Sequence, residues 1–345
     1  MVRVMIKTGL KRGSSLALVV LMASAFSFGF AGALLAQEDH SQHMLTTEQF
    51  AELRSKIPLY NEYTDEQIVK SMSSMRNLGG MISDASVIGD VGVLALAHGY
   101  TDEGNQQWFD RFSAISKDYP AGYGLGMAMM SSDHIQSAID GLEAAGAKKI
   151  LVLRTETGTA SSLQRQWEYI FGRRDDSSYL SPPQVESKAE LIWGPTPTAH
   201  PIMAAIMLDH AKELSSDPSN ELVVILGHGP GTKEDNDKEL AIMAEHGKFI
   251  KEQGGFRDTK FANVQDDAPT EVRAANVEMI RGWIKQAKDQ GMDVIVVTNV
   301  LTQSGIMGRL ERDVEGLDVK FNNTGLMQNP RFADWIKAMV EENLS

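Results

Sequence analysis

The chain alternates short apolar runs with longer amphipathic segments. Residues 91–99 read VGVLALAHG and residues 221–229 read ELVVILGHG. Runs rich in Val, Ile and Leu are typical of buried strands. An acidic polar loop follows each run and leads into an amphipathic helix, near 105–118 and near 236–253. The pattern therefore predicts two buried strands that each end in His-Gly and continue into a helix.

The same order of elements occurs twice along the chain. His98 and His228 are 130 residues apart, and Pro201 and Pro330, each at the start of a predicted helix, are 129 residues apart. Apolar strands that alternate with helices favour parallel sheets covered on both faces. We therefore predict an α/β protein with two similar doubly wound parallel-sheet domains and a cleft between them.

The first 36 residues have the layout of a secretory signal. Residues 1–13 contain four basic residues and no acidic residue, and residues 14–36 are apolar or small and carry no charge. We expect cleavage after Ala33 or Ala36 and export to the periplasm or beyond the cell. The alternative is an uncleaved membrane anchor, because an apolar stretch of about 20 residues can span a bilayer.

The rest of the chain divides into three predicted parts. The segment 37–87 is a leader with one helix over 64–77, for which Thr64 is the N-cap and Gly79-Gly80 the end. The first domain is predicted over 88–215 and the second over 216–345.

Composition excludes several classes of function. The 345 residues contain no cysteine, which excludes disulfides, thiolate metal sites and cysteine nucleophiles. The net charge of −13, which becomes −17 without the signal peptide, argues against nucleic-acid binding. No phosphate-binding loop or dinucleotide fingerprint is present, so no nucleotide cofactor is expected. Contact with a membrane is expected only through an uncleaved N-terminal segment.

The two His-Gly turns are the main candidates for a functional site. Ligands of parallel α/β sheets bind beyond the carboxyl ends of the strands, which brings His98 and His228 to the edge of one cleft. A neutral imidazole there binds a divalent metal or accepts a proton. Gly99 and Gly229 allow a sharp turn or the close approach of a ligand. A structural role for both histidines is an equally weighted alternative.

Four further residues are weaker candidates, each with a structural alternative. Glu156 ends the third strand of the first half, and Glu311 follows the third strand of the second half. Both suit proton transfer, or they are solvated charges. Asp266, next to Asp267, suits a hard cation or a helix cap. Met129 lines a porphyrin-like pocket or fills the core.

The chain resembles the class II tetrapyrrole chelatases of the sirohydrochlorin cobaltochelatase type. The resemblance lies in LALAHGYTDEGN, GLEAAGAKKILVL, ILGHGPGTKEDND and GLMQNPRFADWIKAM, and it covers roughly residues 88–343. It implies insertion of a divalent metal, cobalt above iron or nickel, into a precorrin-type macrocycle held between the domains. It also implies that His98 and His228 bind the incoming metal and help to remove the pyrrole protons.

One departure from the family concerns its second metal-binding histidine, which lies in a Gly-x-His pattern after the third strand. Met307 stands at the matching place in the second half, and Glu311 is the residue expected to compensate. Two functional hypotheses follow. The first is an exported chelatase that acts on a tetrapyrrole and a divalent metal ion. The alternative is a non-catalytic periplasmic protein that binds a tetrapyrrole, haem or metal.

Overall fold

The computed structural model describes residues 45–73, 76–198, 200–303 and 305–344. The predicted signal peptide and its cleavage sites lie outside these residues. Within the described part of the chain, no helix combines the length and the apolar character needed to cross a membrane.

A small helical segment precedes the sheets. Thr64 and Gln67 form a reciprocal pair of hydrogen bonds: the Gln67 backbone N–H donates to the Thr64 hydroxyl at 3.3 Å, and the Thr64 N–H donates to the Gln67 side chain at 2.8 Å. This confirms Thr64 as a helix cap. The segment contains α1 (Thr47–Lys56), a 3-10 turn (Pro58–Glu62) and α2 (Asp65–Ser73).

The first sheet has five strands in the order β1-β3-β2-β4-β5. All its neighbouring strands are parallel except β1, which runs antiparallel to β3. The elements of this half are β1 (Leu78–Met81), β2 (Val91–Ala97), α3 (Asp102–Phe112), β3 (Ala121–Leu125), α4 (Asp133–Ala144), β4 (Lys149–Arg154), α5 (Ser162–Ile170) and β5 (Glu190–Trp193).

Gly79 and Gly80 lie in strand β1, whereas the sequence predicts that they end a helix. Glycine at position 79 is explained by packing between the strand and a helix. A Cβ at Gly79 would lie 1.9 Å from the backbone oxygen of His134 in α4. Helix α4 therefore approaches this edge strand so closely that only glycine fits.

The second sheet has four parallel strands in the order β7-β6-β8-β9. Together with the first sheet, it confirms the predicted α/β architecture of two parallel-sheet domains. Its elements, preceded by α6 (Pro201–Leu214), are β6 (Glu221–Gly227), α7 (Lys233–Gly254), β7 (Asp258–Asn263), α8 (Thr270–Asp289), β8 (Asp293–Thr298), α9 (Gly305–Asp313), β9 (Lys320–Phe321) and α10 (Arg331–Leu344).

The two halves exchange helices. Helix α6 follows the first sheet along the chain but packs against α7 and β8, and α10 follows the second sheet but packs against α3 and β4. The exchange is held by polar contacts as well: Arg111 in α3 donates to the Gln328 carbonyl at 2.7 Å, and Asn322 donates to the His210 carbonyl in α6 at 3.0 Å. The predicted domain boundary at residue 215 divides the chain by sequence, whereas α6 and α10 each pack against the domain on the other side of that boundary.

The exchanged helices belong to an apolar core that the two sheets share. Val93 of β2, Val223 of β6 and Phe332 of α10 are all completely buried in this core. Burial of one large side chain stabilises a fold by about 2–3 kcal/mol. The relative position of the sheets is therefore set by close packing rather than by a flexible linker.

Replacing Phe332 with Ala is expected to lower the free energy of unfolding by about 3–5 kcal/mol, because it opens a cavity in the shared core. Lys337 lies on the exposed face of the same helix, and Lys337→Ala is expected to change stability by less than about 0.5 kcal/mol. Urea unfolding measures both. Equal effects of the two substitutions would show that α10 does not complete the core.

Candidate functional site

A cavity of about 550 Å³ lies where the carboxyl ends of the strands of both sheets meet. Its size falls in the range of small-molecule sites, about 300–1,000 Å³. The first half contributes His98 and Glu156, and the second contributes His228, Glu239 and Asp267. Other lining side chains include Arg76, Leu78, Tyr100, Met127, Tyr179 and Arg309.

The two His-Gly turns aim their histidines into this cavity. His98 directly follows β2 and His228 directly follows β6. Gly99 has φ +84° and Gly229 has φ +75°, which is the left-handed region that favours glycine. At Gly229 a Cβ would also lie 2.3 Å from the Cβ of Asn263. The two glycines thus allow the chain to turn sharply after each strand. Both also line the cavity.

The environment of His98 favours the neutral imidazole. Burial lowers the pKa of His98, and the nearby His228 adds to this effect. The Nδ1 of His98 donates to the Gly99 carbonyl, which leaves the lone pair on Nε2. Nε2 of His228 lies 3.8 Å from Oδ1 of Asp267. Neutral nitrogen and carboxylate oxygen are ligands for a divalent metal.

Two carboxyl groups, one from each half, lie in the same cavity. Burial raises the pKa of Glu156 to about 7, although the Ser161 hydroxyl donates to it at 2.7 Å. Burial and then the neighbouring Glu156 raise the pKa of Glu239 to about 8. Acids with pKa values near neutrality accept and release protons readily at physiological pH.

Glu239 was not found from the sequence. It lies on α7, within the acidic stretch after the second His-Gly turn, where charges are expected to be solvated. A signal was present, because Asp235 and Glu239 are four residues apart and share one face of the helix. Both are buried. The carboxylate lies against Gly158, where a Cβ would come within 2.2 Å of Glu239 Oε1.

Two predicted ligand-binding residues do not line the cavity, but a close neighbour of each does. Met129 is 5% exposed and packs in the core of the first half, whereas Met127 faces the cavity. Asp266 binds Arg273 at 2.5 Å, and its neighbour Asp267 reaches the cavity instead. In each segment, therefore, a residue close to the predicted one lines the cavity.

The compensation expected around α9 is not observed. Glu311 is exposed on this helix and does not line the cavity. Met307, at the position of the family's second histidine, is 1% exposed and packs in the core of the second half. Among the described residues, no three His, Asp or Glu side chains are spaced to enclose a metal ion.

Comparison with solved structures reveals a similar architecture. SirB from Bacillus subtilis with Fe³⁺ is 16% identical with a TM-score of 0.56, and the match covers 74% of this chain and 96% of that one. The sirohydrochlorin chelatase SirB from Bacillus subtilis subspecies spizizenii in complex with cobalt is 12% identical, with a TM-score of 0.52 and coverage of 74% and 95%. The chain has a class II chelatase-like fold. Neither a protein-family model nor a curated protein sequence matches it.

The chelatase-like fold explains why the two His-Gly turns meet. Both follow a central strand of a parallel sheet, and such strands deliver their following loops to one edge. At the sequence identities found, the likeness concerns the arrangement of strands and helices. The chemistry of the cavity depends on the side chains of this chain.

Gly229→Ala is expected to lower the free energy of unfolding by about 3 kcal/mol or more, because it combines backbone strain with a clash. Gly255 is a matched control, since its φ is +70° but a Cβ there would meet nothing within 4 Å. Gly255→Ala is expected to cost about 1 kcal/mol. Chemical denaturation compares the two, and similar losses would mean that Asn263 moves aside without cost.

The raised pKa of Glu239 predicts a pH-dependent stability. A carboxyl that holds its proton more tightly when folded stabilises the fold at low pH, and this contribution is lost as the pH rises through about 8. Glu239→Gln should therefore reduce the loss of stability between about pH 5 and pH 9. Glu252→Gln, at an exposed position of the same helix, should leave it unchanged. Unfolding curves at both pH values test this, and parallel behaviour of the two variants would contradict it.

Proposed function

We propose that the protein is a chelatase that inserts a divalent metal into a tetrapyrrole. The observation that carries this proposal is the meeting of His98 and His228, one from each half, at a single cavity. The chelatase-like fold supports it. The carboxyl groups of Glu156 and Glu239, with pKa values of about 7 and about 8, add the acid–base groups that metal insertion needs.

The chemistry follows from proton balance. Entry of a divalent metal into a free-base macrocycle releases two pyrrole protons. His98 and His228 bind the incoming metal through nitrogen, and the carboxylate of Asp267, 3.8 Å from His228, helps to hold the positive charge. Ionised Glu156 and Glu239 accept the released protons.

The finer identity of the reactants is part of the proposal. The sequence resemblance favours cobalt, with iron or nickel as alternatives, and a sirohydrochlorin-type macrocycle. The signal-like first 36 residues favour action in the periplasm or outside the cell. Cobalt and sirohydrochlorin are therefore the first pair to test.

The test follows the change in absorbance when purified protein is mixed with sirohydrochlorin and Co²⁺. We expect insertion above the uncatalysed rate and a loss of about tenfold or more in His228→Ala and His98→Ala. The rate should rise with pH through neutrality, because the carboxyls with pKa about 7 and about 8 must be ionised to accept protons.

The matched control is His200→Asn. His200 caps α6 by accepting from the Ile202 backbone N–H and does not line the cavity. Asn preserves the cap, so insertion should be unchanged. Binding of the macrocycle without insertion would support the alternative of a tetrapyrrole carrier. A rate independent of pH across neutrality would contradict the proposed proton transfer.

A further inference from the structure

The charges that line the cavity limit the kind of macrocycle that it accepts. Among the described residues of the lining, the permanently cationic side chains are Arg76 and Arg309. They face three carboxyl groups, Glu156, Glu239 and Asp267. Because burial raises the pKa of Glu156 to about 7 and that of Glu239 to about 8, the acidic charge of the lining exceeds its basic charge once the pH passes about 8. A ligand with many negative charges is then opposed by more acidic than basic groups.

The two guanidinium groups come from opposite halves. Arg76 lies two residues before β1 of the first sheet, and Arg309 lies on α9 of the second half. Their side chains are 44% and 47% exposed, so each retains N–H groups that face the cavity or its mouth. A guanidinium offers five N–H donors in a planar fork that matches a carboxylate.

Each of the two arginines forms an ion pair with one aspartate, through a single terminal nitrogen. Arg76 contacts the carboxylate of Asp102, whose side chain is 87% exposed, so this pair is weak. Arg309 Nη2 lies 3.0 Å from Asp266 Oδ2. The aspartates orient the arginines without using all their donors.

Asp266 contacts two arginines, one at each carboxylate oxygen. Arg273 also binds Asp266, at 2.5 Å, and binds Asp313 through two nitrogens at 3.2 and 2.7 Å. The two arginines, Arg273 and Arg309, are thus balanced in charge by two aspartates, Asp266 and Asp313. Arg309 uses only Nη2 in this cluster, so a ligand carboxylate can accept from its other guanidinium nitrogens.

The whole chain opposes a polyanionic ligand as well. Its net charge is −13. A surface of like charge lowers the local concentration and the association rate of an anion. Two guanidinium groups compensate two ligand carboxylates, whereas further carboxylates would find no cation among the described residues of the lining.

We infer that the cavity accepts a macrocycle with few carboxylates, two of which pair with Arg76 and Arg309, in preference to an octacarboxylate such as sirohydrochlorin. This inference rests on the proposed tetrapyrrole chelatase function and narrows its substrate class. It departs from the macrocycle that the sequence resemblance favours.

The test compares three free-base porphyrins of graded charge. Deuteroporphyrin, coproporphyrin and uroporphyrin carry two, four and eight carboxylates on the same ring system. Each is titrated with the purified protein, and binding is followed by porphyrin fluorescence at physiological and at low ionic strength. We expect the affinity to fall as the number of carboxylates rises, and the difference between the porphyrins to grow at low salt.

The variants Arg76→Gln and Arg309→Gln test whether these two arginines bind the carboxylates of the porphyrin. Each is expected to weaken deuteroporphyrin binding roughly tenfold, the effect of losing one charge-assisted contact. Arg309→Lys keeps the charge but loses the planar fork, so it should restore only part of the affinity. Lys70→Gln and Arg312→Gln remove the same charge from exposed positions outside the cavity and should have little effect.

The outcomes separate this inference from the proposed function. If no porphyrin binds, the proposed function fails and the inference fails with it. If uroporphyrin binds most tightly, a tetrapyrrole site stands but the inference about its charge is overturned. If deuteroporphyrin binds most tightly and the cavity arginine variants behave like their controls, the assignment of the two arginines is overturned.

Discussion

The shared apolar core between the two sheets is the constraint on which the site depends. Val93 and Val223, on the central His-bearing strands, are both completely buried in it, and Phe332 from α10 packs with them. Since protein interiors are close-packed, the two sheets have little freedom to slide or rotate against each other. The separation of His98 and His228 is therefore set by packing that lies well below the cavity.

Polar contacts near the cavity extend this constraint to its walls. Arg165 of α5 pairs with the buried Asp235 of α7 at 2.9 Å, and His246 of α7 bonds to the Thr198 carbonyl at 2.7 Å. Both contacts join the first half of the chain to the second. They hold α7, and with it Glu239, against the loop that carries Glu156. Glu156 and Glu239 thus lie together only because the two halves associate in this way.

The sequence predicts those parts of the structure that rest on local pattern. The apolar runs before His98 and His228 identify the central strands, and a Gly after each His identifies the turns. Strand β1 is not predicted in this way, because its four residues are only half-buried and show no apolar run. Gly79 is required there by the close approach of α4. Its presence depends on a tertiary contact that periodicity does not encode.

The side chains of the cavity show the same limit. Asp266 and Asp267 are adjacent and chemically identical, and the choice between them depends on Arg273, which lies on another element. Met127 and Met129 differ by two residues, yet one faces the cavity and the other the core. The pKa of Glu239 is raised first by burial and then by Glu156 of the opposite half. Contacts between residues far apart in the sequence determine which side chain faces the cavity in each case.

The exchange of α6 and α10 also has a consequence for how the chain folds. Helix α10 spans Arg331–Leu344, yet it covers α3 and β4 of the first half. As the chain is made from its N-terminus, the first sheet emerges long before the helix that completes its packing. Contacts between segments so distant in sequence slow folding and leave apolar surface exposed in the meantime. The first half is therefore exposed to aggregation until α10 has been made and has docked onto it.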